Sequence, residues 1–138
     1  MFVIFNNQHP TLGIPNTSKL HAWLLQSIKN ESYTLGKLNY TFLTDDELHK
    51  INLQFLNHDT YTDIITFDYN QGNMIIGEIY VSMDRVKENS EKNSSDFDSE
   101  LYRIIIHGLL HLMGYKDKSP QDKNEMTAKE DYYLSLLP

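Results

Sequence analysis

The sequence contains no cysteine. This absence excludes disulfide bonds and thiolate metal ligands, so any zinc in the protein must be held by nitrogen and oxygen atoms. No apolar run approaches the roughly 18 to 20 residues of a membrane span. The first residues have neither a basic leader nor the longer apolar stretch of a signal peptide. We therefore expect a cytoplasmic protein with no membrane segment.

Basic side chains are scarce relative to acidic ones. The chain has 12 lysines and arginines against 19 acidic residues, which gives a formal net charge of −7. A negative field of this sign repels nucleic acid, so the composition alone argues against an RNA-binding module. Any action on RNA would need a local cationic feature such as a bound metal, or delivery to the substrate by a partner.

The length and the apolar content indicate one compact unit. A chain of 138 residues that is 40% hydrophobic can close one ordinary core, and it is too short for two domains of typical size. Its apolar residues are spread over the whole length without a repetitive tract, which favours neither disorder nor a repeat array. We predict a single domain over residues 1–138.

The apolar periodicity predicts an α+β fold. Period-two or β-branched segments predict four strands, of which the last two form a hairpin: residues 1–6, 36–43, 63–69 and 74–82. Helical spacing and capping residues predict five helices: residues 17–30, 45–56, 83–93, 97–113 and 120–137. The helix over 97–113 is the most apolar, so we expect it to be central and buried.

Two histidines in the predicted central helix point to a metal site. His107 and His111 are four residues apart, so they share a helix face with Cβ atoms roughly 6 Å apart and can bind one ion. Gly114 can adopt the left-handed conformation that ends the helix and turns the chain back. This turn would bring Asp117 to the ion as a third ligand and leave a position for water. We predict a divalent metal site, with zinc as the expected ion.

The two histidines can also be explained without a metal. A pair of histidines four apart in a helix is more often a feature of packing or of the surface than a metal site. Here both lie in the most apolar segment, where unpaired polar side chains would cost roughly 1 to 3 kcal/mol each. Metal binding would satisfy them. Asp117 stands between Lys116 and Lys118, which is also a common pattern on solvated surfaces.

The segment around the histidines resembles the signature of the YbeY family, bacterial endoribonucleases of ribosomal RNA maturation. The sequence HGLLHLMGY over residues 107–115 carries the resemblance. Residues 62–67 (TDIITF) and 76–82 (IGEIYVS) are similar to two central strands of the family, in order and spacing. Residues 45–47 and 51–52 resemble the preceding helix. The similarity covers most of the chain from about residue 40 onward.

The resemblance implies a fold, a cofactor and an activity. It implies a single domain with a mixed four-stranded sheet and surrounding helices, and one zinc ion on the central helix. It also implies cleavage of single-stranded RNA in 16S rRNA maturation and ribosome quality control, with precursor 16S rRNA as substrate and a small-subunit ribosomal protein as partner.

The chain departs from the family pattern at two positions. The family's usual third histidine falls on Asp117, which keeps a ligand but adds a negative charge and should leave the metal a weaker Lewis acid. The arginine near the end of the second helix falls on Leu56, which removes a natural phosphate-binding group.

A general base is not obvious from the sequence. Asp63 and Glu78 lie on or near predicted strands and are candidate catalytic residues, although an acid there can equally cap a helix or form a salt bridge. Tyrosines could stack on bases, as aromatic residues do in single-strand binders, or could pack in the core. The tyrosines considered are Tyr61, Tyr69, Tyr80 and Tyr115.

Two other functions compete with RNA cleavage. The histidine spacing is also that of metzincin proteases, but those enzymes use a glutamate directly after the first histidine, where this chain has Gly108. The other rival is a non-enzymatic ribosome-assembly factor with a structural metal. Structural zinc usually takes four protein ligands, and only three are visible, with His58 in a predicted loop as the best spare.

Overall fold

The computed structural model describes residues 2–137, and its helices and strands follow the predicted order. The strands are β1 Phe2–Asn7, β2 Thr34–Leu43, β3 Ile64–Asp68 and β4 Met74–Ser82. The helices are α1 Thr17–Asn30, α2 Asp45–Leu56, α3 Met83–Lys92, α4 Phe97–Leu112 and α5 Pro120–Ser135. The predicted α+β class with surrounding helices is confirmed.

The four strands form one mixed sheet in the order β1-β2-β4-β3. β1 and β4 both run parallel to β2, and β3 runs antiparallel to β4. The predicted hairpin between the last two strands is therefore confirmed. β1 and β3 are the edge strands in this order.

Helix α4 packs against β3 and β4 on one face of the sheet. Its buried face includes Leu101, Ile105 and Leu109, each fully inaccessible to solvent. A Cβ atom added to Gly108 would lie 2.9 Å from Ile64 Cδ1, so the helix approaches the sheet as closely as a glycine allows. The position of α4, and of the histidines on it, is thus fixed by direct contact with the sheet.

Helices α1 and α5 extend the core on this same face. Trp23 of α1 packs edge-on against Tyr102 of α4, with ring centroids 6.5 Å apart. Its indole N–H donates to the carbonyl oxygen of Tyr133 in α5 at 2.7 Å. Helices α1 and α4 therefore pack against the sheet, and α5 packs against α4.

Helix α2 covers part of the opposite face of the sheet. Leu48 of α2 is buried with Ile65 and Leu43 in a second, smaller apolar cluster. The other end of the helix reaches beyond this cluster, and Phe55 is 62% exposed. One helix covers only part of this face.

Helix ends follow the capping chemistry expected from the sequence. The Thr44 hydroxyl accepts from the Glu47 N–H at 3.3 Å, and the Thr44 N–H donates to Glu47 Oε1 at 3.0 Å, which completes a capping box. Asp96 is at the N-cap position of α4, but its side chain makes no capping hydrogen bond. Pro120 begins α5 behind the Ser119 cap. Between residues 2 and 137 the helices are too short or too polar to cross a membrane.

Candidate metal centre

His107 and His111 meet on the surface of α4 at the end of the helix. Their Nε2 atoms are 3.0 Å apart, and their side chains are only 20% and 24% exposed. The four-residue spacing places both imidazoles on one helix face, as the sequence predicted. Both rings therefore present a nitrogen to one point.

Asp117 reaches the same point through a glycine turn. Gly114 has φ of 94°, a left-handed conformation that ends α4, and the Tyr115 N–H donates to the Leu110 carbonyl oxygen at 3.0 Å. Asp117 Oδ2 then lies 3.4 Å from His107 Nε2 and 3.3 Å from His111 Nε2. The structure brings together all three residues that the sequence predicted as metal ligands.

Each histidine is oriented by a partner at its other nitrogen. The Nδ1–H of His107 donates to Glu130 Oε2 at 2.6 Å, and the Nδ1–H of His111 donates to the Tyr115 carbonyl oxygen at 3.0 Å. With both Nδ1 atoms protonated, both Nε2 lone pairs face each other and the carboxylate of Asp117. Three electron-rich atoms in contact repel one another unless a metal ion or a proton lies between them.

The distances fit a small divalent ion. Zinc binds histidine nitrogen and carboxylate oxygen at about 2.0–2.2 Å in tetrahedral geometry, which places neighbouring ligand atoms about 3.4 Å apart. The separations here are 3.0, 3.4 and 3.3 Å. His107, His111 and Asp117 form a group whose ligand atoms all lie within 4.8 Å of one another. These residues could therefore hold a zinc-like ion by nitrogen and oxygen.

Acidic neighbours dominate the electrostatics at His107. Burial lowers the pKa of His107, but the hydrogen bond and the charge of Glu130, with the charges of Asp117 and Asp63, raise the pKa above its ordinary value overall. The centre is thus a negatively charged environment that attracts a cation.

Asp63 lies next to the centre, just before β3. It lines a cavity of about 130 Å³ together with His107, Arg103 and Glu130. Burial raises the pKa of its carboxyl group, and the charge of Asp117 adds to this, while His107 and two backbone hydrogen bonds oppose it. The structure brings this candidate base beside one of the predicted ligands, His107.

Glu78 lies on the other face of the sheet. Gly77 and Ile79 of β4 contact α4, and successive side chains of a strand point to opposite faces, so Glu78 points away from α4. It lines a cavity with Phe55 and Tyr80 on the α2 side. The structure therefore does not bring Glu78 to the predicted ligands.

The space around Gly108 bears on the peptidase alternative. A Cβ atom at this position would lie 2.9 Å from Ile64 Cδ1 and 3.1 Å from two side-chain atoms of Ile79. Residue 108 therefore faces the sheet and has no room for a side chain. A glutamate base after the first histidine is excluded by packing as well as by identity.

Two of the four candidate stacking tyrosines, Tyr61 and Tyr69, and the departure from the family pattern at Leu56 have different contacts and exposure. Tyr61 stacks on His49 at a centroid distance of 4.3 Å, and the Arg85 guanidinium lies over the Tyr61 ring, 5.5 Å from its centroid. Tyr69 is exposed and Leu56 is 40% exposed at the end of α2.

The other two tyrosines, Tyr80 and Tyr115, make partly buried contacts. His58, the spare candidate ligand, lies away from the three predicted ligands. Tyr80 packs edge-on against Phe67, and the Tyr115 hydroxyl donates to Glu31 at 2.7 Å. His58 lines a separate cavity with Leu56. His58 is not in the group that could hold an ion.

Sequence reasoning missed Glu130. This residue is only 7% exposed, and it lies on the buried face of α5 with Met126 and Tyr133. These three residues recur at helical spacing, so an acid at a core-facing position of the predicted last helix was the available signal. Its partner in α4 follows only from the tertiary structure.

Known proteins resemble this chain over nearly its whole length. The family model described as "Endoribonuclease YbeY" matches residues 4–137. A protein of Flavobacterium johnsoniae named "Endoribonuclease YbeY" is 44% identical over 131 residues, which cover 95% of this chain and 94% of the relative. A relative of the same name from Cytophaga hutchinsonii is 43% identical over 135 residues, covering 97% of this chain and 94% of the relative.

A solved structure agrees with these relatives. The solution structure of a Thermotoga maritima protein matches with a TM-score of 0.67 at 30% sequence identity, covering 97% of this chain and 87% of that one. The similarity therefore extends to the fold as well as to the sequence.

Proposed function

The chain belongs to the YbeY family, and we propose that it is a zinc-dependent endoribonuclease that cuts single-stranded RNA during 16S rRNA maturation and ribosome quality control. The observation that carries the proposal is the convergence of two histidine nitrogens and one aspartate oxygen at 3.0 to 3.4 Å. Three protein ligands with one open position are typical of catalytic zinc, whereas structural zinc usually has four.

The proposed ligands and their partners have distinct roles. His107, His111 and Asp117 hold the ion, and Glu130 and the Tyr115 carbonyl oxygen orient the two imidazoles. When bound, zinc supplies a Lewis acid that stabilises charge on a phosphoryl oxygen and lowers the pKa of water. The ion also supplies the positive charge that the acidic protein lacks.

We propose Asp63 as the general base. Its carboxylate lines the same cavity as His107, and its raised pKa brings the group closer to the working pH, where a base is most effective. The carboxylate would accept the proton of the attacking hydroxyl, which is either water or the 2′-hydroxyl of the RNA. Glu78, the other candidate, lies on the far face of the sheet.

The net charge of −7 supports a partner-assisted mode of substrate binding. The position of the family's arginine is held by Leu56, so that phosphate-binding group is absent at this position. We propose that the precursor 16S rRNA is presented with the help of a small-subunit ribosomal protein, in the cytoplasm where ribosomes mature.

Cleavage of a precursor 16S rRNA fragment tests this function. The zinc-loaded protein is compared with a His111→Ala variant purified identically, which exposes contaminating nuclease. A His21→Ala variant serves as the matched control, because His21 lies on α1 and is not in the group that could hold an ion. We expect cutting by the wild type and the control alone. Equal cutting by His111→Ala, or no cutting by a wild type that holds stoichiometric zinc even with small subunits present, would favour a non-catalytic assembly factor.

A further inference from the structure

Glu130 is a buried carboxylate that supplies no atom to the proposed ligand set. It lies on α5, 7% exposed, and both of its oxygens face donors from α4. Oε1 accepts from Arg103 Nη1 at 2.8 Å, and Oε2 accepts from His107 Nδ1 at 2.6 Å. The carboxylate therefore joins an arginine and a proposed metal ligand that are four residues apart on the neighbouring helix.

The chemistry of a carboxylate fixes the proton on His107. A carboxylate only accepts hydrogen bonds, so the His107 nitrogen that faces it must carry a hydrogen. A neutral imidazole has one donor and one acceptor nitrogen, so the lone pair is left on Nε2. Nε2 is the atom 3.0 Å from His111 Nε2 and 3.4 Å from Asp117 Oδ2.

Arg103 limits where the Glu130 carboxylate can point. Its Nη1 donates to Glu130 and its Nη2 donates to Asp131 Oδ1 at 2.7 Å, so the guanidinium holds two consecutive side chains of α5. With Oε1 held by Arg103, Oε2 is directed at His107. The contact is specific in geometry as well as in charge.

We propose that Glu130 is a positioning residue that holds His107 in the tautomer and orientation that bind the metal, and that Arg103 keeps Glu130 in place. This inference rests on the proposed metal centre. Partners of this kind, which hydrogen-bond the far nitrogen of a ligating histidine, typically change metal affinity 10- to 100-fold when they are removed. Helix α5 thus contributes to the centre without touching the ion.

A Glu130→Gln variant isolates this role at nearly constant shape. An amide has one acceptor oxygen and one donor nitrogen, but Arg103 and the Nδ1–H of His107 both need an acceptor. If the amide oxygen accepts from Arg103, the amide N–H₂ group faces Nδ1 of His107, which must then accept a hydrogen bond. The imidazole hydrogen moves to Nε2, and Nε2 no longer has a free lone pair for the metal. If the amide oxygen accepts from His107 instead, the amide N–H₂ group faces the Arg103 guanidinium, which also only donates, so Arg103 no longer holds residue 130 in place. Either arrangement weakens metal binding.

Asp131→Asn is the matched control. It makes the same change from acid to amide in the neighbouring residue, which bonds Arg103 but not His107. Zinc affinity is measured for wild type and both variants by competition with a chromophoric chelator, with thermal unfolding as a check of the fold. We expect the dissociation constant of Glu130→Gln to rise about 10- to 100-fold and that of Asp131→Asn to change less than about threefold.

Two outcomes overturn the positioning role in different ways. Equal zinc affinity of Glu130→Gln and wild type contradicts the role of Glu130 while the proposed metal centre stands. A folded wild type that binds no zinc contradicts the proposed function itself, and the inference with it.

A measurement on the wild type alone keeps the inference testable if Glu130→Gln does not fold. Long-range ¹H–¹⁵N correlation spectra of the zinc-loaded protein identify which imidazole nitrogen carries hydrogen. We expect hydrogen on Nδ1 and metal on Nε2 of His107. The reverse assignment would overturn the proposal.

Discussion

Asp117 stands where the resemblance to the family implies a histidine. Replacing it by alanine and by histidine therefore separates its role as a ligand from the effect of its charge. Its carboxylate lies 3.3 and 3.4 Å from the two histidine nitrogens. We expect Asp117→Ala to bind zinc at least about tenfold more weakly, because one of three protein ligands is lost. Asp117→His should keep one zinc per chain. Calorimetric titration with zinc measures both.

The Asp117→His variant also tests the effect of charge on RNA cleavage. Asp117→His removes a negative charge from the centre and leaves a stronger Lewis acid. The acidic limb of its pH–rate profile should therefore move to lower pH relative to wild type. An unchanged profile would show that the charge of Asp117 does not tune the centre.

We expect the Asp63 carboxyl group to lower the free energy of unfolding of the metal-free protein at neutral pH, although the proposed RNA cleavage requires it. Burial raises the pKa of this carboxyl group in the folded state, so in the metal-free protein the folded state binds more protons than the unfolded state. The free energy of unfolding then falls as the pH rises from the ordinary aspartate pKa of about 3.9 through the raised value. Asp63→Asn removes this loss, so we expect the metal-free variant to be more stable than the metal-free wild type at pH 7. The gain should disappear below about pH 4.

Urea unfolding of the metal-free wild type and Asp63→Asn variant at pH 7 and pH 4 measures the difference in stability. RNA cleavage by the same two proteins tests whether Asp63 is the general base. Loss of a general base typically costs 10²- to 10⁴-fold in rate. Glu78→Gln is the comparison, because Glu78 lies on the other face of the sheet and should leave the rate unchanged. An active Asp63→Asn variant, or an inactive Glu78→Gln variant, would contradict the assignment.

Local spacing is sufficient to predict some site residues and insufficient for others. His107, His111 and the glycine turn to Asp117 lie within one helix and its C-terminal turn, so helix geometry alone brings them together. Glu130 meets His107 only because α5 packs on α4, and no local pattern carries that information. The two candidate bases looked alike in sequence, and only the packing of the sheet against α4 separates Asp63 from Glu78.

At the scale of elements, the end of α4 determines where the third ligand lies. Gly114 has φ of 94°, and an added Cβ would find Tyr33 Oη 3.9 Å away, so an alanine there is strained by its backbone and not by crowding. We expect Gly114→Ala to lower the free energy of unfolding by roughly 1–2 kcal/mol, the usual cost of a left-handed non-glycine residue. It should also weaken zinc binding, because the turn carries Asp117.

Gly72→Ala is the control for this turn. Gly72 has φ of 57° in the β3–β4 hairpin with no atom within 4 Å of an added Cβ, so the same strain is placed away from the centre. Chemical denaturation should give similar losses for the two variants, whereas zinc titration should distinguish them. Equal zinc affinity would show that the turn does not position Asp117.

The predicted elements agree closely with the structure because most carry strong local signals. Helix α2 begins at a capping box and runs over Asp45–Leu56, as its sequence indicates. What local pattern did not predict is how much of that helix the sheet buries. Leu53 and Phe55 are apolar residues of the helix predicted over 45–56, yet they are 45% and 62% exposed. Their environment depends on where the sheet ends, which is a tertiary property.

At the scale of the whole molecule, metal binding should be coupled to folding. The three ligands come from α4 and the turn after it, and Glu130 ties them to α5, so an ion bound only in the folded state stabilises the fold. At free zinc about 100 times the dissociation constant, we expect about 2.7 kcal/mol of added stability and a rise in Tm on the order of 10 °C.

Thermal unfolding with zinc and with a chelator tests this coupling. The chelator should reverse the rise, and His111→Ala should show little response to zinc. A Tm that is the same with and without zinc in the wild type, or an equal rise in His111→Ala, would place any bound zinc away from the proposed centre.

The central claim is that one metal ion is held by His107, His111 and Asp117. Anomalous X-ray diffraction at the zinc edge from crystals of zinc-loaded protein tests it most directly. We predict one strong peak about 2.0–2.2 Å from Nε2 of each histidine and from the Asp117 carboxylate. A stoichiometric zinc peak at other residues, with none between these three atoms, would contradict the claim.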